Sequence, residues 1–493
     1  MSSILTNTSA MVALQTLRTI NTDLQKTQNE ISTGKSVATA KDNASIWAIS
    51  KVMEADVKGF KGISESLSLG ESTVAVARTA SETVTDLLTD IKGKIVAAQE
   101  ENVDREKIQT DISALRNQIT SVVNAAQFNG LNLLQGTDEM NVLSSLDRAS
   151  DGSVTASNIV VDRQDLSTSA GTYGSGTSLS ANATASAAAV VNTAVTETLT
   201  IATDADVSTD AFSVSVAGST VTFNVGDLTG NQDVAASAIS GAINALGLEG
   251  VTASVSTNVI TIASTRAFED VGLTALKNGA GTGVTLSAAS IGERAENITF
   301  SASANVNEGD GYQATVGSQT YTYVAGKNED FGDVAAGLKA AIDAGGIADI
   351  STAVTTNSSG QAVLKVDNNG SSLAFSVVGA ADGTASGGLF GLGGIDVTTE
   401  AGANAALGNI ETLIQTAIDG AAQFGSAQGR IETQNEFVMK LTDSLKAGIG
   451  TMVDADMEET SARLQALQVQ QQLGIQSLSI ANQAPQSILS LFR

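Results

Sequence analysis

The sequence predicts a mixed α and β chain, with long α-helical coiled-coil or bundle domains formed by both chain ends and a central β-rich α+β insert. Three observations carry this. Both ends are apolar at helical spacing and free of charge, residues 1–17 before Arg18 and residues 464–492 before Arg493. Helix formers thin out near residue 138, where Gly, Ser, Thr, Val and Asn take over, and return near 401. Charge divides the same way: residues 1–145 and 401–493 each carry net −4, and residues 146–400 carry net −18 of the −26 in all. An apolar stripe sustained over a terminal helix needs a partner, because burial rather than propensity stabilises most helices. Ends that associate must meet in space, so the insert hangs between two legs of one α domain.

Taken in order, residues 1–34 read as helix. Leu17, Leu24 and Ile31 lie seven apart, with Leu14 before them and Ile20 between, and Gly34 is a stop. A second helical region, 43–99, is broken by Glu100-Glu101-Asn102. A third shows one face in Ile108, Ile112, Leu115, Ile119 and Val122 and ends at the turn signal Asn129-Gly130. Leu166–Val195 has the Ser/Ala/Thr/Gly composition of a linker. The middle then repeats itself at a period of about 100 residues. Phe212–Phe223 and Tyr312–Tyr323 are each two short strands about a Gly turn, followed by a short helix (Asp233 to Ile243, Asp333 to Ile342) and further alternating strand, Val251–Ile262 and Ala353–Val366. Gly-rich 379–394 reads as a return linker. Helix resumes at about Ala401, with a stripe of Leu407, Ile410, Ile414, Ala417, Ala421 and Phe424, and breaks near Gly448–Gly450. In the last segment Leu464, Leu467, Leu478, Ala481, Ile488 and Phe492 form the stripe, with Gln between. The domain boundaries expected are 1–42, 43–145, 146–400 (repeats at about 200–268 and 298–378), 401–447 and 448–493.

Composition excludes several chemistries. There is no Cys and no His, which removes thiol nucleophiles, disulfides and imidazole bases. The charge of −26 opposes nucleic acid binding. No apolar run reaches the ~18 residues of a membrane span, and Met1–Asn7 lacks the basic and apolar regions of a secretory signal. Asp454, Asp456, Glu458 and Glu459 suit a helix start, where the dipole favours acids, better than a metal site. Asp204, Asp206 and Asp210 have partial calcium-loop spacing without the loop's Gly or closing Glu. Gly388–Gly394 lacks the Lys-Ser/Thr of a phosphate loop. Asn182-Ala-Thr and Asn297-Ile-Thr are weak glycosylation signals. No catalytic residue, cofactor site or metal site is expected.

Ile31-Ser-Thr-Gly34 through Lys41-Asp42-Asn-Ala to Ser50 resembles an N-terminal segment of bacterial flagellins of the alphaproteobacterial type, and Phe128-Asn129-Gly130-Leu-Asn-Leu133-Leu134 resembles their "FNGxxLL". Phe424-Gly425-Ser-Ala-Gln428-Gly-Arg430, Met452–Arg463 and Ala481–Arg493 resemble C-terminal segments. The motifs lie within 1–140 and 400–493, and none falls in the middle. Trp47 stands where the family usually has Leu, and Gly429 where it has Asn.

The resemblance implies a flagellar filament subunit, a structural protein that polymerises into an open helical homopolymer for swimming motility. It would act outside the cell, exported through the flagellar export apparatus with an export chaperone and no cleaved signal peptide. Hook-associated junction and cap proteins would be partners. The terminal helices would form the filament core, the segments next to them a helical shell, and the insert would project outward. Self-assembly would rest on Leu14, Leu17, Leu24, Ile31, Leu464, Leu467, Leu478, Ile488 and Phe492. The Gln run 470–472 would help make a neutral inner surface, or be a solvated face. Receptor-recognised members carry an Arg and, four residues on, a Leu before the Glu100 break. Here the register gives Asp90 and Lys94, or Lys92 and Val96, so weak recognition by the animal Toll-like receptor is expected. A hook–filament junction protein, a secreted β-rich adhesin and, more remotely, a peptidase or glycosidase are the alternatives.

Overall fold

Seven α-helices, two short 3-10 helices and twenty strands lie among the described residues. The computed structural model describes residues 7–148, 153–202, 211–224, 231–278 and 283–490. These sort into two units: one of residues 1–72, 141–161 and 427–493, the other of 73–140 and 162–426. Helices α1 (Thr8–Thr33), α2 (Ala44–Ala97) and α3 (Arg105–Ala125) come first, and α6 (Glu400–Val453) and α7 (Met457–Ser490) last.

In the second unit three helical stretches share a core. The α2 residues Val74, Ala77, Ser81, Val84, Leu88, Ile91 and Ile95 are buried, stepping by three and four. Ile112, Ile119 and Val123 of α3 are buried too. On α6 the buried face is Ala403, Ala406, Ile410, Leu413, Ala417 and Phe424. It is turned slightly from the expected stripe, since Leu407, Ile414 and Ala421 are only half-buried. Lys94 pairs with Asp111 at 2.6 Å and Lys92 with Glu411, which ties the helices at their rims. The Asn129-Gly130 turn, at φ 50° and 83°, joins β1 (Gln127–Phe128) to β2 (Leu131–Asn132). The hairpin of β3 (Glu139–Arg148) and β4 (Val154–Asp162) follows.

The β-rich part holds two modules of the same plan. The first runs through β7 (Val195–Ile201), β8 (Ala211–Val216), β9 (Ser219–Asn224), α4 (Gln232–Ala245), β10 (Val251–Ser256), β11 (Val259–Ser264), β12 (Val271–Asn278), β13 (Val284–Leu286) and β14 (Ser290–Ile291). The second uses β15 (Glu296–Phe300), β16 (Gly311–Val316), β17 (Gln319–Val324), α5 (Phe331–Ala344), β18 (Ile350–Thr356), β19 (Ala362–Asn368) and β20 (Leu373–Ala380). The sheets match strand for strand: β10-β11-β7-β13 and β14-β12-β8-β9 in the first, β18-β19-β15 and β17-β16-β20 in the second. The second module is completed by β5 (Ala183–Ala185) beside β15 and β6 (Ala189–Val190) beside β20. Thus the first module takes its two short closing strands from the chain that follows, and the second takes them from the chain that precedes both. Core alternation is regular, as in β8, where Phe212, Val214 and Val216 point inward. Phe300, Tyr312 and Phe331 form an aromatic cluster in the second core, with ring centroids 5.4–6.0 Å apart.

Two expectations need correction. Residues 166–195 and 379–394, linkers by composition, are ordered partners. Thr172 and Thr384 exchange backbone hydrogen bonds at 2.9 Å, and Leu389 N–H reaches Ser167 O at 3.0 Å. The glycines permit the close approach: a Cβ at Gly174 would lie 2.0 Å from Ala381 O, and one at Gly387 2.2 Å from Ser167 O. The break expected near Gly448–Gly450 falls later, since α6 continues to Val453. The helix stops where the chain meets another backbone: Ser36 N–H donates to Val453 O at 2.7 Å and Ala455 N–H to Gly34 O at 3.0 Å. Unsatisfied helix-end carbonyls are the reason such a partner ends a helix. The Asp204, Asp206 and Asp210 triplet lies outside the described residues.

Candidate self-association surface

Asn7 begins α1, its Oδ1 accepting from Ala10 N–H at 3.1 Å, and Gly34 ends it at φ 68°. The loop that follows is fixed by Asp42, which accepts from Thr39 N–H at 2.9 Å, Thr39 hydroxyl at 3.0 Å and Ala38 N–H at 3.2 Å. Those bonds, the Thr39 amide foremost, hold the Asp42 carboxyl below its ordinary range. Asp456 starts α7, accepting from Glu458 N–H at 2.9 Å and Glu459 N–H at 3.2 Å. Asp456, Glu458 and Glu459 are therefore a helix cap and first turn, while Asp454 lies before the helix. The bridge between Lys35 and Asp454 brings the 31–50 and 452–463 segments side by side.

From there α1 and α7 run antiparallel. Asn7 Nδ2 donates to Ala481 O at 2.8 Å, and Gln471 Nε2 to Asn21 Oδ1 at 2.6 Å. Along α1 the less exposed positions are Ala10, Ala13, Leu17, Ile20, Leu24, Thr27 and Ile31. On α7 they are Thr460, Leu464, Leu467, Gln471, Gly474, Leu478 and Ala481, again in steps of three and four. A Cβ at Gly474 would sit 3.1 Å from Leu17 Cδ1 and 3.9 Å from Ile20 Cδ1, so these side chains fill the room that glycine leaves.

Of the residues picked from sequence, Leu17, Leu24, Ile31, Leu464, Leu467 and Leu478 face into this pair. Leu14 does not; it is 40% exposed and lies on a flank. Ile488 falls on α7 with its side chain outside the described residues, and Phe492 lies outside them altogether. Gln471 is not part of a solvated run, since it bonds across the pair while Gln470 and Gln472 are exposed.

One flank of the pair is an apolar groove of about 980 Å³ with no charged residue in its lining. Val12, Leu473 and Ile480 stand over it, 62%, 56% and 69% exposed. Sequence reasoning missed these three. The signal was present: Leu473 and Ile480 lie seven apart, each directly before a seam position, Gly474 and Ala481. A two-position stripe accounts for the intrachain seam and leaves this second one unread.

Comparison with known proteins agrees with this geometry. The bacterial flagellin N-terminal helical region matches residues 4–139, and the bacterial flagellin C-terminal helical region matches residues 407–492. Flagellin A of Rhizobium meliloti is 31% identical over 499 aligned residues that cover all of both chains. Flagellin D of Rhizobium meliloti (strain 1021) is 31% identical over 503, and the flagellin of Brucella melitensis biotype 1 is 26% identical over 495, again covering both chains in full. These alignments run through residues 146–400, which hold none of the five motifs. A solved Xanthomonas campestris FlgL superposes with a TM-score of 0.29 at 10% identity, covering 81% of this chain and 98% of that one, too distant to carry any argument. With paired terminal helices, a β-rich middle and relatives aligned end to end, the chain belongs to the bacterial flagellin family and is a structural subunit of the extracellular flagellar filament.

Proposed function

We propose that the α1/α7 pair is the part of the subunit that polymerises, with its seam closed within one chain and its uncharged flank closed by neighbouring copies. The observation that carries this is the groove over Val12, Leu473 and Ile480. Apolar side chains this exposed, in a row, on uncharged stretches of two helices are a surface awaiting a partner. A contact between unlike patches of identical chains, repeated without closing, gives an open helical polymer. Leu17, Leu24, Ile31, Leu464, Leu467 and Leu478 serve the seam, Leu14 its flank, and Ile488 and Phe492 extend the same pattern toward the chain end. In this reading residues 1–42 and 448–493 make the filament core, 43–145 and 401–447 the shell, and 146–400 the projecting insert.

The chain has no catalytic role in this reading. It leaves the cell through the flagellar export apparatus with the help of an export chaperone, and meets junction and cap proteins at the filament's two ends. Recognition by the animal Toll-like receptor is weak, because neither Asp90 with Lys94 nor Lys92 with Val96 supplies the Arg–Leu pair. Leu478→Asp places a charge in the seam at a cost of several kcal/mol. Seeded elongation followed by electron microscopy is the test. Normal filaments from Leu478→Asp protein, at wild-type yield, would remove the seam from the mechanism.

A further inference from the structure

Within the second unit, α5 of the second module meets α6 through a buried polar knot. Lys339 on α5 reaches across to Asn409 on α6, its ammonium donating to Asn409 Oδ1 at 2.6 Å. Asp343, one turn on from Lys339, touches both partners. Its Oδ2 accepts from Lys339 Nζ at 2.7 Å and from Asn409 Nδ2 at 3.0 Å. Its Oδ1 accepts from the Thr352 hydroxyl on β18 at 2.5 Å, which fixes the orientation of the carboxylate. Little water reaches the group: Asn409 is 8% exposed, and the side chains of Lys339 and Asp343 are 14% and 7% exposed. A primary amine, a carboxamide carbonyl and a carboxylate in contact with both nitrogens are thus held together away from solvent. Those are the parts of an acyl transfer from amide to amine: a nucleophile, an electrophile and a proton carrier, already placed.

We propose that Lys339 and Asn409 join in an isopeptide bond, with Asp343 carrying the protons. The Lys339 ammonium passes a proton to Asp343, and the freed lone pair on Nζ attacks Asn409 Cγ. The new C–N bond forms as the carbonyl pair moves onto Oδ1. Asp343 then gives its proton to Nδ2 and takes one from Nζ. The pair on Oδ1 returns, the Cγ–Nδ2 bond breaks, and the departing ammonia takes the proton left on Asp343. Ammonium is released, the carboxylate is restored, and no oxidant or other reactant is consumed. Asp343 and Asn409 both line a cleft of about 600 Å³, which gives the ammonium a way out. The step happens once per chain, without turnover. Its product staples α5 to α6 and closes residues 339–409 into a ring, which restricts the unfolded chain as a disulfide does.

Mass spectrometry of the full-length chain, incubated as the folded monomer, tests this. The intact mass should fall by one ammonia, and a tryptic digest should yield a branched peptide joining residues 339 and 409. Full mass after prolonged incubation, with the two residues in separate peptides, overturns the proposal, and this readout needs no variant. Asp343→Ala should slow the reaction by about 10²- to 10⁴-fold; a link formed there at the wild-type rate overturns the proton carrier. Urea-unfolded wild-type chain should keep its full mass, and a link formed equally fast in urea would show that the folded geometry has no part in it.

Discussion

Among the described residues fully buried charge is scarce. Arg294 and Asp367, 6% and 1% exposed at their side chains, form a two-pronged pair at 2.7 and 2.6 Å. Asn192 and Asn369 accept two further guanidinium hydrogen bonds at 2.9 and 2.6 Å, and Lys365 pairs with Glu293 beside it. These residues lie where the chain passes from one β module to the other. Arg294→Met alone strands the Asp367 carboxylate and should cost about 3–5 kcal/mol, whereas Arg294→Met with Asp367→Leu should recover most of it. Urea unfolding of the two variants checks this. Glu329 makes a second residue-scale prediction. Burial raises its carboxyl from 4.5 to about 7 on folding. Between those values the native state binds more protons than the unfolded one, so stability is whole below pH 4.5, falls as pH rises toward 7 and is level above it. The loss is on the order of 3 kcal/mol, and a calorimetric series from pH 4 to 8 should show it in the wild type and not in Glu329→Gln.

Among elements, the two modules differ in what they can survive. The first is self-contained, since β7 through β14 carry all its strands and its own core. Its entry and exit lie close together, Arg294 Nη1 being 2.9 Å from Asn192 Oδ1. Excision of 195–291 with a short linker should leave the second module folded, judged by unchanged near-ultraviolet signal from Tyr312 and Tyr323. Excision of 200–380 instead takes β15 and β20, which pair with β5 and β6, and leaves those two strands without partners. That variant should be the more prone to aggregate, read by light scattering during refolding, because unpaired strand edges seek new ones.

For the whole molecule, charge sets the terms of assembly. In the proposed assembly the terminal helices carry the apolar contacts, and the −18 of residues 146–400 repels its counterparts on other copies. Elongation from seeds should therefore quicken as salt rises from about 0.01 M to about 0.15 M, over which the Debye length falls from roughly 30 Å to 8 Å. A rate independent of salt would show that the inserts do not feel one another. Excision of 195–291 should flatten this dependence as well.

Helix at both ends, strand in the middle and the family itself were all legible from residue order, because periodicity and local motifs are properties of short segments. Leu17, Leu24, Ile31, Leu464, Leu467 and Leu478 could be chosen that way, since a seam within a helix pair repeats in steps of three and four. Contacts between distant segments were not legible. Composition marked 166–195 and 379–394 as linkers, because it cannot tell a glycine kept for flexibility from one such as Gly174, whose missing Cβ leaves the room that Ala381 O takes up. Nor does it show that β5 and β6 close a module lying a hundred residues on, or that Gln471 bonds across the pair to Asn21. Burial, the partner of each strand edge and the company of Lys339 follow from which segments meet in space, and that was decided by the tertiary structure alone.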